Sequence, residues 1–265
     1  MNLTRRKLLP LAAAIGFVVI QPTAHAQAVL NAGAYPNNPP FEFKNKDGHF
    51  EGFDVDIVTE AAKRIGVDLN VAEYDFPPLF SATSSGRIDI AIASITITKD
   101  RLESHSFTQP YYDADMGVAT RKDSQIRGVK DLKGKVVGVQ SGSTGETWVR
   151  QNQASNEIAD VKGYNEQQQL LLDLLSGRVD AMVSDVPGME YAFIKMKDLE
   201  VREHIKSGDQ YGLMMTKDSP LFVRVNDAIG AMKRDGTMEK LHEKWFGSKP
   251  IEGSSTITEL EIPRL

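Results

Sequence analysis

The sequence contains no cysteine, so the fold is held together by its core without disulfide bonds. It also lacks a basic block: Lys and Arg number 31 against 36 Asp and Glu, which gives a formal net charge of −5. An acidic chain of this kind argues against nucleic acid as a partner. Neither a Walker loop nor a Gly-x-Ser-x-Gly elbow is present, so two common signatures of phosphate binding and of serine hydrolases are missing.

Histidine is sparse, and the positions of the five histidines argue against a metal centre. His25 lies in the first 26 residues, and His49, His105, His204 and His242 are scattered with no metal-like spacing. For these four we predict surface positions. We therefore expect no catalytic residue, no metal and no other cofactor.

A secretory signal peptide is predicted at residues 1–26. A short basic region precedes an almost wholly apolar run from Leu8 to Ile20, and Ala24-His25-Ala26 provides small residues at both specificity positions of a cleavage site. The apolar run is too short to span a bilayer comfortably. Thr4-Arg5-Arg6 also resembles a twin-arginine signal, so both export routes stay open. We expect an exported, periplasmic protein.

Apolar segments alternate with helical patterns along the rest of the chain, which is typical of α/β architecture. The apolar spacing between Phe53 and Ile65 predicts a helix that stops at Gly66. The apolar run Val136–Val139 predicts a short buried strand. The segment Leu170–Leu175 predicts a helix ending at Gly177. The length suggests one large domain or two modest ones.

The most informative pattern is an internal echo. Ser85–Ile92 (SGRIDIAI) returns as Ser176–Val183 (SGRVDAMV), each time as a helix stop, a turn and a buried strand. Chance similarity is the alternative, because such turns reuse Gly and Asp. Nine residues after each leading serine stands a polar residue, Ser94 in the first copy and Asp185 in the second. Ligands of open α/β sheets lie at such strand ends, so two facing sheets would direct both groups at one molecule.

The segment after the first of these strands is a candidate for ligand binding. Alternation predicts that Ser94, Thr96 and Thr98 lie on one side of an extended segment. Arg101 follows a turn later, and its guanidinium offers a rigid fork of donors that fits a carboxylate. A half-buried sheet edge is the alternative interpretation.

The second half of the chain carries complementary groups. Gly138–Gly145 follows a strand and precedes a helix, where free N–H groups bind anions, although a plain helix cap is equally compatible. Asp185 on the opposing strand end would balance a ligand cation. An anion pocket beside a cation pocket is typical of an α-amino-acid site. Phe76, within Tyr74–Pro78, is a candidate to stack on a ligand, with core packing as the alternative.

A set of motifs in order resembles the bacterial extracellular solute-binding proteins of family 3, the polar amino-acid-binding, periplasmic components of ABC importers. The resemblance runs from about Leu30 to Gly247. Its motifs are Pro39–Phe43, Gly48, Gly52–Asp56, Gly86–Asp89, Thr98–Arg101, Phe107–Tyr112, Leu132–Lys135 and Asp235–Thr237.

This resemblance implies a type II periplasmic-binding fold: two α/β lobes joined by two crossover strands, with the ligand cleft between them. Lobe one would hold residues 28–114 and 213–250, and lobe two residues 115–212. The tail at 251–265 lies beyond the resemblance and fits either a strap or a loose end. The implied partners are a small amino-acid-like ligand and an inner-membrane permease, and the implied state is a monomer that is not an enzyme.

The resemblance also implies roles for individual residues. Arg101 would clamp the α-carboxylate, helped by the backbone at Thr96 and Thr144. Ser94, Thr96 and Asp185 would hold the α-ammonium. Phe76 would lie against the ligand side chain.

The sequence departs from relatives that bind basic amino acids at two further candidate site residues. Those relatives usually carry an acid near position 35 and an aromatic near 38, whereas this chain has Tyr35 and Asn38. Gln140 and Gly145 also stand where larger or apolar side chains often occur. The pattern favours a neutral or modified amino acid, or another small carboxylate.

Two alternatives remain on sequence grounds. The first is an enzyme that resembles cyclohexadienyl dehydratases acting on prephenate or arogenate, whose cleft carries a carboxylate as general acid. Asp185 and Glu146 are the candidate acids, but their spacing gives no compelling acid–base pair. The second is a ligand-sensing subunit that signals to a membrane receptor.

Overall fold

The computed structural model describes residues 28–265, so the predicted signal peptide at 1–26 lies outside the described residues. Within the described range, none of the helices combines the length and the apolar character needed to cross a membrane. The chain forms two α/β lobes, each built on a five-stranded sheet, and a small antiparallel sheet packs beside the first.

The elements of the first lobe are β1 (Val29–Ala34), β2 (Asn37–Asn38), β3 (Glu42–Lys44), β4 (Phe50–Glu51), α1 (Phe53–Ile65), β5 (Asp68–Glu73), α2 (Phe76–Ser84), β6 (Ile90–Ile92), α3 (Lys99–Ser104), β7 (His105–Phe107), β13 (Met214–Thr216), α7 (Phe222–Arg234) and α8 (Thr237–Phe246). The lobe is built on a sheet with the strand order β5-β1-β6-β13-β7. Strand β1 pairs in parallel with β5 and β6, while β13 is antiparallel to β6 and β7.

The elements of the second lobe are β8 (Tyr112–Arg121), a 3₁₀ turn (Val129–Asp131), β9 (Val136–Gln140), α4 (Thr144–Asn152), β10 (Asp160–Tyr164), α5 (Gln167–Ser176), β11 (Ala181–Asp185), α6 (Val186–Phe193) and β12 (Leu199–Tyr211). This lobe repeats the plan of the first, with the strand order β10-β9-β11-β8-β12. Strand β9 pairs in parallel with β10 and β11, while β8 is antiparallel to β11 and β12.

The two lobes are connected where β8 begins and β12 ends. These antiparallel segments pair Tyr112 with Tyr211 and Asp113 with Gln210. The main-chain N–H of Tyr111 donates to Tyr211 O at 2.9 Å, which extends the pairing toward the first lobe. The predicted two-lobe α/β fold is confirmed.

The local helix and strand predictions are confirmed as well. Helix α1 ends at Ile65, and Gly66 takes the left-handed conformation at φ 70° that stops it. Helix α5 ends in the same way before Gly177, at φ 76°. A side chain would be strained at either position, whereas glycine adopts it freely.

The internal echo has a structural cause, because its two aspartates make the same contacts. Asp89 accepts a hydrogen bond from the main-chain N–H of Asn31 through Oδ2, at 2.8 Å, and donates its own N–H to Asn31 O. Asp180 does the same with the N–H and O of Val136, again with 2.8 Å to Oδ2. Each aspartate thereby joins its turn to the neighbouring parallel strand, β1 in one lobe and β9 in the other.

The prediction of surface positions is wrong for two of the histidines. His105 is 5% exposed, because its ring packs on Phe80 and its Nε2 pairs with Phe80 O at 3.0 Å. His242 is 9% exposed and packs against Phe246, with Nδ1 paired to Ser248 O. In both cases a main-chain oxygen satisfies the buried ring.

The C-terminal segment lies along the first lobe as a strap. Ser255 is 2% exposed, and its N–H donates to Asp113 Oδ2 at 2.8 Å. The N–H of Leu260 donates to Gln109 Oε1 at 3.2 Å. The buried Lys233 Nζ donates to Thr258 O at 2.9 Å. The strap is therefore attached next to the start of β8, where the chain crosses between lobes.

Candidate ligand-binding site

A cleft lies between the two lobes, and all of the residues that the sequence singled out as ligand contacts except Thr98 line it. From the first lobe these are Tyr35, Asn38, Phe76, Ser94, Thr96 and Arg101, and from the second Thr144 and Asp185. The lining also includes residues that sequence reasoning did not assign to the site, among them Glu42, Gln167, Gly188 and Tyr211.

Arg101 is held in the wall of the cleft by contacts on three sides. Its Nη1 donates to Thr96 O at 2.7 Å, and its Nη2 donates to Gly142 O of the second lobe at 3.1 Å. The guanidinium carbon lies 4.9 Å from the centre of the Phe80 ring and 5.9 Å from that of Phe76. Among the described residues it has no salt-bridge partner. The guanidinium of Arg101 is therefore held in a fixed orientation, as a cation that can donate hydrogen bonds to a carboxylate.

The loop of the second lobe that faces Arg101 leads into α4, which begins at Thr144. Ser143 caps this helix, because its Oγ accepts the N–H of Glu146 at 3.1 Å. Glu146 Oε2 in turn accepts the N–H of Gly142 at 2.7 Å. The helix-cap interpretation of this segment thus holds. The first N–H groups of a helix lack intrahelical acceptors, so Thr144 also stands at a position suited to an anion.

Asp185 stands at the carboxyl end of β11 and at the start of α6. Its Oδ2 accepts a hydrogen bond from the Tyr211 hydroxyl at 2.7 Å. Burial raises the pKa of Asp185 to about 6, and the hydrogen bond from Tyr211 opposes that effect. Tyr211 was not predicted, because it lies at the end of β12 in a run with no distinctive motif.

Arg101 and Asp185 carry opposite charges, line the same cleft and come from different lobes. Burial lowers the pKa of Arg101 to about 10, while the negative charge of Asp185 acts in the opposite direction. The positive charge of Arg101 likewise lowers the pKa of Asp185. The two side chains do not form a salt bridge with each other, so each keeps hydrogen-bonding capacity for a third molecule.

Ser94 is held by a buried cluster of acids in the first lobe. It adopts a left-handed conformation at φ 46°, and its N–H donates to Asp54 Oδ2 at 3.0 Å. Its hydroxyl donates to Glu42 Oε2 at 3.0 Å and accepts from Asn38 Nδ2 at 3.1 Å. Tyr111 contributes its hydroxyl to Asp54 Oδ2.

The electrostatics of this cluster follow from its burial. Neither Glu42 nor Asp54 is exposed. Burial and the charge of Asp54 raise the pKa of Glu42 well above its usual range, and burial raises the pKa of Asp54 to about 6. Glu42 Oε1 has no hydrogen-bond partner within residues 28–265. The pair adds negative potential next to Ser94.

The prediction that Ser94, Thr96 and Thr98 share one side of an extended segment is wrong for Thr98. Strand β6 ends at Ile92, and the left-handed turn at Ser94 interrupts the alternation. Ser94 and Thr96 line the cleft, whereas the Thr98 hydroxyl accepts the N–H of Arg101 and caps α3.

A metal site finds no support in the part of the chain that the structure describes. No group of three or more His, Cys, Asp or Glu side chains there is arranged to hold a metal ion. The cleft instead combines one guanidinium, two carboxylates, hydroxyls and aromatic rings, a set suited to a small zwitterion.

Comparison with known proteins shows the family of the chain. The model of the bacterial extracellular solute-binding proteins, family 3, matches residues 30–248. The L-cystine-binding protein TcyJ of Escherichia coli (strain K12) is 33% identical over 226 residues, which cover 84% of this chain and 84% of the relative. The histidine-binding periplasmic protein of the same strain is 34% identical over 227 residues, covering 82% and 87%.

Solved structures show the same likeness. An ancestral arginine-binding protein bound to arginine superposes with a TM-score of 0.79 at 36% identity, and the match covers 84% of this chain and 100% of that one. The match includes both lobes.

Proposed function

The chain belongs to the bacterial extracellular solute-binding proteins, family 3, and from this premise we propose that it binds an amino acid or similar small zwitterion in the cleft between its lobes and delivers it to an ABC permease. The observation that carries the proposal is the position of Arg101 and Asp185, one cation and one anion from different lobes in the lining of one cleft. An α-amino acid presents the complementary pair of charges a few ångströms apart.

We assign the carboxylate end of the ligand to Arg101, with the backbone at Thr96 and Thr144 as additional donors. Arg101 donates one hydrogen bond to Thr96 O and one to Gly142 O, whereas a guanidinium has five N–H donors. The remaining donors suit a carboxylate. This assignment is supported by the absence of a salt-bridge partner for Arg101 among the described residues.

The ammonium end is assigned to Asp185, Ser94 and Thr96. Asp185 keeps an oxygen beside the one that Tyr211 occupies, and Ser94 lies next to a buried pair of acids. Phe76 is assigned to the ligand side chain, because its ring lies in the lining between Arg101 and Tyr35. Tyr35 and Asn38 complete the side-chain end of the site.

Closure of the lobes is the proposed binding step. The ligand docks on the first lobe, and the second lobe then adds Thr144 and Asp185, so that contacts made only in the closed form shift the population toward it. The proposed lobes are residues 28–114 with 213–250 and residues 115–212, followed by the tail at 251–265. Residues 1–26 are proposed as a signal peptide that directs a monomer to the periplasm, where the permease recognises the closed lobes.

A role as a binding protein and not as an enzyme is also proposed. Glu146, the second acid considered for an acid–base pair, is paired with Arg150 and with the N–H of Gly142. Incubation of the purified protein with prephenate and arogenate is expected to give no product.

A thermal-shift screen of the protein that lacks residues 1–26 tests the binding function. The panel is the common amino acids with their D-forms, and sugars of similar size serve as controls. Because a ligand that binds only the folded state raises the melting temperature, we expect an increase with at least one L-amino acid and none with the sugars. No response to any amino acid or related zwitterion would refute the proposal.

A further inference from the structure

Tyr35 of the first lobe meets the second lobe at the first residue of α5. Its hydroxyl oxygen accepts a hydrogen bond from the main-chain N–H of Gln167, 3.1 Å away. Tyr35 is 1% exposed, and its ring contacts that of Phe76 edge-on at 6.5 Å. The first N–H groups of a helix have no intrahelical acceptor, so this bond satisfies one of them. The lobes are therefore joined directly at this side of the cleft.

Helix α6 approaches the same side. Asn38 is fixed by its hydrogen bond to Ser94 Oγ, and a Cβ at Gly188 would lie 3.2 Å from Asn38 Oδ1. Glycine at position 188 thus lets α6 pack this closely. Asn37 Nδ2 adds a further contact between the lobes, to Glu166 Oε2 at 3.0 Å. We call Tyr35, Asn38, Gln167 and Gly188 the cross-cleft wall.

The carboxylates of the cleft are unsuited to a basic ligand side chain. Those in the described lining belong to Glu42 and Asp185. Glu42 has no exposed surface, and its Oε2 already accepts the hydroxyl of Ser94. Asp185 is assigned to the α-ammonium. Glu166, next to the wall, is already paired with Asn37.

From these contacts we propose that the cross-cleft wall restricts the cleft to amino acids with short, uncharged side chains, and that Tyr35 sets the limit. The inference rests on the proposed function, because it takes Arg101 and Asp185 as the holders of the ligand's backbone groups. All four residues of the wall line the cleft, so the wall bounds the space that is open to the ligand side chain. A long side chain has to displace Tyr35 from Gln167, whereas a short one leaves the wall intact.

Calorimetry with alanine, serine, threonine, lysine and arginine tests this inference. For the unmodified protein we expect at least one of the short amino acids to bind about tenfold or more tightly than either basic one. Tyr35→Ala removes the ring and is expected to reduce that ratio at least about tenfold, because the longer side chains gain space. Tyr35→Phe keeps the ring but removes the hydroxyl. It is expected to weaken the short ligands more than the basic ones, because only the short ligands leave the bond to Gln167 intact, and so to lower the ratio less than Tyr35→Ala does.

Two further variants make the test independent of folding effects. Tyr74→Ala is the matched control, since Tyr74 packs against the same apolar cluster but does not line the cleft, and the ratio is expected to stay unchanged. Gly188→Ala tightens the wall from the other lobe and is expected to weaken threonine more than alanine.

The outcomes separate the inference from the proposed function. A preference of the unmodified protein for arginine or lysine, or an unchanged ratio in folded Tyr35→Ala, overturns the inference while amino-acid binding stands. If Tyr35→Ala does not fold, an equal effect of Gly188→Ala on threonine and alanine overturns it. Failure of the protein to bind any amino acid overturns the proposed function, and the inference falls with it.

Discussion

The guanidinium of Arg101 donates a hydrogen bond across the cleft to the main-chain oxygen of Gly142, 3.1 Å away. Arg101 belongs to α3 of the first lobe, and Gly142 precedes α4 of the second. The side chain proposed to bind the ligand carboxylate therefore also contacts the lobe that closes over it. Under this proposal, one residue serves both ligand capture and lobe closure.

Replacing Arg101 with alanine is expected to weaken ligand binding about tenfold to a hundredfold, because charge-assisted hydrogen bonds to a carboxylate contribute about 1.5–3 kcal/mol. Arg101→Lys keeps the charge but loses the planar fork, and is expected to bind with intermediate affinity. Calorimetry with the ligand from the screen provides the measurement. Arg87→Ala, in an exposed turn of the same lobe, is the control. Unchanged affinity in Arg101→Ala would exclude the carboxylate clamp.

Ligand affinity is expected to fall as the pH is lowered through about 6, because burial raises the pKa of Asp185 to about 6. The ligand ammonium stays protonated throughout this range, so binding favours ionised Asp185, and protonation competes with it. The fall approaches about tenfold per pH unit below the pKa.

Asp185→Asn is the matched control for this pH dependence. The variant removes the titrating group. Its binding is expected to be weaker and to lose the part of the pH dependence that comes from Asp185. Asp54, whose pKa is also about 6, titrates in both proteins and cancels in the comparison. Parallel pH profiles for the two proteins would contradict the assignment of Asp185 to the ammonium.

Gly145→Ala is expected to lower the free energy of unfolding by about 1–3 kcal/mol. A Cβ at this position would lie 2.8 Å from the main-chain oxygen of Val183, so α4 has to move away from β11. Urea denaturation followed by circular dichroism measures the change. Thr147→Ala, at an exposed position of the same helix, controls for the change in helix propensity that comes with alanine. Equal stability of Gly145→Ala and the unmodified protein would show that α4 and β11 have room for a side chain at this position.

Removal of residues 251–265 is expected to lower the melting temperature by several degrees, because it breaks the contacts of the strap with Gln109 and Asp113. It also leaves buried Lys233 without the acceptor at Thr258 O. Removal of 261–265 alone, beyond the contact at Leu260, is expected to have a smaller effect. Equal melting temperatures for the full chain and the protein ending at residue 250 would show that the strap adds nothing.

Local sequence patterns were sufficient to predict the helix ends and strand ends that position the site. Gly66 and Gly177 follow the last residues of α1 and α5, where the chain adopts a left-handed conformation that favours glycine. The echo indicated matching strand ends, because Asp89 and Asp180 form the same contacts in both lobes. The position of Asp185 in the cleft follows from that correspondence.

The contacts between distant segments could not be predicted in this way. Tyr211 reaches Asp185, and Tyr35 reaches Gln167, only after β12 and α5 have been placed by the packing of whole sheets. The φ of 46° at Ser94 has no signature in the sequence, since it is imposed by hydrogen bonds to Asp54 and Glu42. Thr98 does not line the cleft, because α3 begins directly after it and its hydroxyl caps that helix.

Arg101 and Asp185 are proposed to hold the two charged groups of one ligand, and calorimetry with analogues that each lack one of these groups measures what each residue contributes. The ligand from the screen is compared with its decarboxylated amine and with its deaminated acid at pH 7.5. We expect each analogue to bind at least about a hundredfold more weakly than the zwitterion, because each leaves one charged side chain of the cleft without a partner. An amine or an acid that binds as tightly as the zwitterion would exclude this pairing of charges.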